Sequence, residues 1–294
     1  MAPRKTLLTV GATLLALTSF AGNSLLCRLA LRPQSIDAAS FTAVRLVTGG
    51  IVLLLIALVR WKSLGRFGWG GSWRAALALF AYAAAFSYAY NGLSAGTGAL
   101  LLFGSVQVSM IAWGMSRGDR PSIAEWIAIL TASTGLVVLV FPGLAAPPLM
   151  SAALMVLAGA AWGAYSLLGR GSPDPIAATT GNFVRAAAFA LPLVAVPLSA
   201  NWINLPFEAN WHADRRGWML AMASGGLTSA IGYVIWYYAL RGLASTRAAL
   251  VQLAVPVLTA VGGVVLLAET VTPRLFLSAA LILGGVSLAF FRRK

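Results

Sequence analysis

Runs of about 20 apolar residues follow one another along almost the whole chain, separated by breaks of only a few residues. Each run is long enough to cross the hydrocarbon core of a bilayer as a helix. In hydrocarbon a backbone must satisfy its own hydrogen bonds, so a chain of such runs folds as a helical bundle. Composition agrees: 60% of the 294 residues are hydrophobic and 10% are charged, against about 25% charged in soluble proteins. The sequence therefore predicts an all-α membrane protein with ten transmembrane helices, at about 6–31, 37–60, 73–93, 96–116, 122–141, 149–169, 174–199, 216–240, 245–268 and 272–291. Turn residues mark the breaks at Arg32-Pro33, Pro142-Gly143, Pro147-Pro148 and Ser172-Pro173. With loops this short, consecutive helices are expected to be neighbours.

The net charge of +14 does not mark a nucleic-acid face. The cations sit between the apolar runs, where the positive-inside rule accounts for them. With a cytoplasmic N-terminus, fourteen fall inside: Arg4, Lys5, Arg60, Lys62, Arg66, Arg74, Arg117, Arg120, Arg170, Arg241, Arg247, Arg292, Arg293 and Lys294. Five fall outside: Arg28, Arg32, Arg215, Arg216 and Arg274. Both termini are thus expected in the cytoplasm. Trp61, Trp69, Trp73, Trp113 and Trp126 fall near the inner interface, and Trp202, Trp211 and Trp218 near the outer one. Cys27 is the single cysteine and His212, in a polar loop, the single histidine, so no disulfide and no Cys/His metal pattern is expected. The loop at about 200–215, with Glu208, His212 and Asp214, reads as a solvated linker.

The chain also repeats itself. Phe20-Ala-Gly-Asn-Ser-Leu-Leu-Cys-Arg28 returns as Trp162-Gly-Ala-Tyr-Ser-Leu-Leu-Gly-Arg170. Ordered echoes follow: Val44-Arg45 and Val184-Arg185, Gly92-Leu93 and Gly242-Leu243, Ala99-Leu100 and Ala249-Leu250, Asp119 and Glu269, Gly135 and Gly285. Five helices per copy is an odd number, so the second copy enters the membrane from the opposite side. This predicts two inverted five-helix repeats, 1–145 and 146–294, suited to alternating access around a central site.

The residues toward the C-terminus resemble a known family. Ala249-Leu-Val-Gln-Leu-Ala-Val-Pro256, Gly262-Gly263, Leu267-Ala-Glu269-Thr-Val-Thr272 and Gly284-Gly285 are similar to the last two helices of EamA-type transporters of the drug/metabolite transporter superfamily. Arg45 and Gly232-Tyr233-Val-Ile-Trp236-Tyr-Tyr-Ala-Leu-Arg241 are similar to that pattern as well. The first copy departs from it, with Val106-Gln107 in place of the Pro256 motif and Asp119 in place of the glutamate. Within the family the chain most resembles the YddG-type aromatic amino-acid exporters. That resemblance implies export of Phe, Tyr, Trp and analogues. A bacterial inner membrane is the expected location, no cofactor is expected, and the two fused halves make a monomer the expected unit.

Candidate site residues follow from which polar groups lie at membrane depth. All seven tyrosines lie on three of the ten runs, and Trp162 and Trp236 are the two tryptophans well inside one. Their polar tips need partners, which a wet cavity between the halves supplies. Tyr82 with Phe86, and Tyr233 with Trp236, share helix faces. The candidates are Asn23, Tyr82, Phe86, Ser105, Trp162, Tyr165, Tyr233, Trp236 and Gln252, with packing as the alternative role for each. Tyr237 and Tyr238 read as inner-belt anchors. Gln107 and Asn182 are further amides, and Ser24 and Ser109 have a weaker claim. Arg45 and Arg185 each cost about 2.5–3.5 kcal/mol to insert, so they face protein or water. They bind a substrate carboxylate, or they are structural, holding carbonyls at a helix end or snorkelling toward an interface. Pro256 is a candidate hinge.

Asp37, Asp119, Glu125, Asp174 and Glu269 lie at or near helix ends, with Glu208 and Asp214 in a loop. No carboxylate marks a midplane proton site, which favours a passive facilitator. An intramembrane enzyme would need a nucleophile with its base, and none is placed at depth. No ATP-binding loop is present. The alternative is an exporter of a nucleobase, vitamin or cationic drug, possible also with proton coupling; a channel is disfavoured by the duplication.

Overall fold

Short polar residues placed at the breaks start the helices. Asp37 Oδ1 accepts from Ser40 N, Ser72 Oγ from Ala75 N, Ser94 Oγ from Thr97 N, Asp214 Oδ1 from Gly217 N and Thr272 Oγ1 from Leu275 N. Each satisfies an orphan donor in a first turn. Asp174 Oδ1 accepts from Ile176 N and Ala177 N ahead of Pro175 at the first helical position. Partial burial raises the pKa of Asp174, but the Arg60 guanidinium and these backbone donors outweigh it and hold the carboxyl below its ordinary value.

The computed structural model describes residues 2–64, 69–116, 123–141, 146–195, 212–243, 248 and 251–291. Ten helices run through them: α1 (Ala2–Leu31), α2 (Ala38–Leu64), α3 (Trp73–Ala89), α4 (Ala95–Ser116), α5 (Ile123–Val140), α6 (Leu149–Gly169), α7 (Pro175–Ala195), α8 (Arg215–Leu240), α9 (Ala254–Leu267) and α10 (Pro273–Phe291). Five of them are long and apolar enough to cross a membrane among the described residues: α1, α2, α4, α6 and α8. Asp119, Glu208, Trp202, Trp211, Pro142-Gly143, Ala249-Leu250, Arg66, Arg117, Arg120, Arg247, Arg292, Arg293 and Lys294 lie outside the described residues, as do the side chains of Arg4, Lys5 and Glu125.

Two boundaries differ from the sequence reading. Helix α3 stops at Ala89, because Tyr90, Asn91 and Gly92 turn back onto the carbonyls of Phe86, Ser87, Tyr88 and Ala89. The helix expected over about 245–268 is interrupted: Ala248 and Val251 are helical, Gln252 and Leu253 form a turn, and α9 runs on from Ala254. Pro256 lies buried in the first turn of α9; it has no N–H for the carbonyl of Gln252 four residues before it, and Val255 N donates to that carbonyl instead, at the interruption. Helix α8 winds as a π-helix over Ser224–Ile231.

Packing differs from the expectation that consecutive helices are the main neighbours. The broadest contacts are α5 with α10, α3 with α6, α2 with α7, α4 with α6, and α8 with α1 and α2. Every one joins an early helix to a late one. Short loops bring helix ends together but leave the faces free to choose partners. Small residues allow the closest approaches: a Cβ on Gly225 of α8 would strike the backbone carbonyl of Arg45, and one on Gly49 of α2 would strike the Phe183 ring.

The ends of the bundle are tied in two ways. At one end Ile36 bridges Ala213, Asp214 N donates to Ser35 O, and Arg28 Nε pairs with Glu269 Oε1 at 3.3 Å. At the other, Gly70 N donates to Ala177 O, Ser72 N donates to Asn182 Oδ1, and Arg60 pairs with Asp174 at 2.7 Å.

Candidate functional site

Four helices converge on one aromatic cluster. Helix α1 supplies Phe20, α3 supplies Tyr82 and Phe86, α6 supplies Trp162 and Tyr165, and α8 supplies Tyr233, Trp236 and Tyr237. Trp162 stands at its centre, with ring centroids 4.7 Å from Tyr233, 5.0 Å from Tyr82, 5.1 Å from Phe20 and 5.6 Å from Tyr165. These separations lie in the range where aromatic pairs attract. All of these rings are buried, so the candidates close on one another in this conformation.

Polar atoms are threaded through the rings. Trp162 Nε1 donates to Gln252 Oε1 at 2.9 Å, and Trp236 Nε1 to Ser166 Oγ at 3.4 Å. Asn23 Nδ2 donates to Tyr82 Oη at 3.1 Å, and Asn23 Oδ1 accepts from Ser224 Oγ at 2.7 Å. Gln252 lies in the turn that precedes α9.

Arg45 of α2 enters this network from the side. Its Nε donates to Ser229 Oγ at 2.9 Å, and its Nη2 to Tyr233 Oη at 2.6 Å and Tyr82 Oη at 3.2 Å. Its Cζ lies 5.1 Å from the Tyr82 centroid and 5.2 Å from that of Phe86, within cation–π range. Nη1 is buried with no partner. Ser224 and Ser229, which hold Asn23 and Arg45, both lie on the π-helical segment; such segments recur at functional sites.

The structure thus brings together Asn23, Arg45, Tyr82, Phe86, Trp162, Tyr165, Tyr233, Trp236 and Gln252. Three candidates lie apart. Ser105 donates to its own helix at Leu101 O and stands at the close α4–α6 crossing beside Gly159. Arg185 donates to Gly70 O at 2.8 Å and sits over the Trp69 and Trp73 rings. Pro256 is outside the network. Tyr237 is not a belt residue: it is buried and stacks on Tyr165 at 5.4 Å, whereas Tyr238 is exposed. Phe20 was missed. Its one signal is that it lies three residues before Asn23, on the same helix face.

A separate cleft of about 460 Å³ opens at the Arg28–Glu269 end, lined by Arg28, Arg32, Glu269 and Arg274 with the turns before α4 and α6. Arg32 and Arg274 hold the carbonyls of Leu267 and Phe141 there.

A bundle of ten helices among the described residues, five of them long and apolar enough to span a bilayer, with an aromatic and polar cluster inside it, is the fold of a multi-pass membrane protein. Residues 149–291 match the model of the EamA-like transporter family. The chain is 48% identical over 288 residues to the uncharacterized protein PA1977 of Pseudomonas aeruginosa, covering 98% of this chain and 95% of that protein. It is 25% identical over 263 residues to the uncharacterized transporter YwfM of Bacillus subtilis, covering 87% and 86%. A crystal structure of a protein 22% identical in sequence has the same fold, with a TM-score of 0.64 over 96% of this chain and 97% of that one.

Proposed function

We propose that this transporter exports amino acids, chiefly Phe, Tyr, Trp and analogues, by alternating access between two inverted five-helix halves, 1–145 and 146–294. It sits in a bacterial inner membrane with both termini cytoplasmic, works as a monomer and runs as a facilitator. The observation that carries this reading is the Trp162-centred ring cluster, shared between helices of both halves and edged by Arg45, Asn23 and Gln252. A planar ring entering it would exchange ring–ring contacts for others of the same kind.

The neighbour pattern supports the duplication. Advancing each helix by five positions turns the α3–α6 contact into α8–α1, α4–α6 into α9–α1 and α3–α7 into α8–α2, and each of these exists. The contacts α2–α7, α4–α9 and α5–α10 map onto themselves. Inversion is supported by α1 ending and α6 beginning at the same cleft, whose rim holds Arg32 and Pro148. Facilitation is supported by the described carboxylates Asp37, Asp174, Asp214 and Glu269, all of which sit at helix ends with partners.

Liposomes holding purified protein and unlabelled phenylalanine should accumulate external labelled phenylalanine by counterflow, with no imposed pH gradient. Uptake no greater than in empty vesicles contradicts the substrate assignment. Uptake that follows an imposed pH gradient at a fixed phenylalanine gradient contradicts facilitation.

A further inference from the structure

Among the described residues, Arg45 is a buried cation with no anion facing it. Its side chain is 1% exposed, and its three bonded partners, Ser229, Tyr82 and Tyr233, are neutral hydroxyls. A charge so placed is costly unless an opposite charge completes it. Among the described residues both ion pairs lie at helix ends, Arg28 with Glu269 and Arg60 with Asp174. Asp37 and Asp214 are occupied with backbone donors at the starts of α2 and α8. No described carboxylate is left for Arg45.

The remaining donors are placed to take a ligand. Nη1 is bonded to nothing, although buried polar groups are nearly always paired. A guanidinium offers adjacent donors in a fork that matches a carboxylate. Bound there, a carboxylate keeps any ring attached to it near Tyr82 and Phe86, whose centroids lie 5.1 and 5.2 Å from Cζ. For an ammonium group the cluster offers much less. Asn23 Oδ1 is taken by Ser224, and Gln252 Oε1 by Trp162.

We propose that Arg45 is the carboxylate-binding residue of the transport site, so that the solute recognised is an aromatic carboxylate whose ammonium group is dispensable. This rests on the reading that a ring-bearing solute passes through the cluster. Ser229, Tyr82 and Tyr233 are then positioning residues that hold the guanidinium with Nη1 free.

The test compares three probes on wild-type protein in liposomes: L-phenylalanine, 3-phenylpropionate, which lacks the ammonium, and phenethylamine, which lacks the carboxylate. Binding is followed by ligand-induced thermal stabilisation and transport by counterflow. Phenylpropionate should bind about as well as phenylalanine, and phenethylamine on the order of 100-fold more weakly. Arg45→Gln should lose phenylpropionate affinity on the order of 100-fold, and Arg45→Lys should recover part of it. The wild-type series stands alone if the variants misfold. Phenylpropionate that fails to bind, phenethylamine that matches it, or full phenylpropionate affinity in folded Arg45→Gln overturns the assignment. Arg45-dependent phenylpropionate binding without phenylalanine transport leaves the assignment standing and removes the amino-acid reading. Phenylalanine transport that phenethylamine inhibits equally well does the reverse.

Discussion

Trp162→Ala should destabilise the protein by about 3–5 kcal/mol and abolish phenylalanine counterflow. The indole touches Phe20, Tyr82, Tyr165 and Tyr233, and its removal leaves a void at the point where α1, α3, α6 and α8 meet. It also strips Gln252 Oε1 of its donor inside a fully buried environment. Trp162→Phe keeps most of the ring contact and loses the hydrogen bond, so it should fall between the two. Thermal melting in detergent and flux in liposomes read the two effects separately. An alanine variant that melts with the wild type would mean that the cluster does not bear on the fold.

Glu269→Ala should cost about 3 kcal/mol, the lower end for breaking a buried charge pair, since both side chains keep slight exposure. The carboxylate does two things. It accepts from the buried Ala95 N at the start of α4, at 2.8 Å, and it pairs with Arg28. Arg28 in turn donates to Tyr90 O at 2.9 Å, where α3 has just ended. One carboxylate therefore ties α1, the α3–α4 turn and the end of α9. Removing it leaves the Arg28 cation facing the positive end of α4, the wrong sign for that position. Glu269→Gln keeps an acceptor for Ala95 and should lose less than Glu269→Ala. Equal melting temperatures for Glu269→Ala and wild type would contradict this account.

The helices were legible because hydrocarbon allows so few alternatives: an apolar run of bilayer length is a helix, and its ends fall where Asp, Ser, Thr and Pro occur. The site was partly legible for the same reason. Tyr82, Trp162, Tyr233 and Trp236 stood out as polar-tipped rings at depth, and they do meet. What failed to show was anything carried by apolar residues alone. Phe20 looks like its Leu and Ala neighbours, and a helix apolar all round gives no period that marks its inner face. Nor do loop lengths reveal that the helices pack mainly across the two halves. The π-helical winding of Ser224–Ile231 and the turn at Gln252 and Leu253 coincide with tertiary contacts, with Asn23, Arg45 and Trp162 at the other end of the bonds. Arg45 and Arg185 match in the sequence echo Val44-Arg45 and Val184-Arg185 and yet differ in fate. Arg185 reaches a carbonyl at Gly70, while Arg45 reaches hydroxyls that only the folded cluster brings to it.

The central claim is that a solute crosses through the cluster between the two halves. Cys27 is buried and is the single cysteine, so a Cys27→Ser background is free of competing thiols. In it, Ser229→Cys places one thiol beside Asn23 and Arg45. In sealed vesicles a membrane-impermeant thiol reagent, applied to either side in turn, should label this position from both faces, and saturating phenylalanine should slow the labelling. Labelling confined to one face, or unaffected by a solute that the protein carries, would contradict a path through that seam.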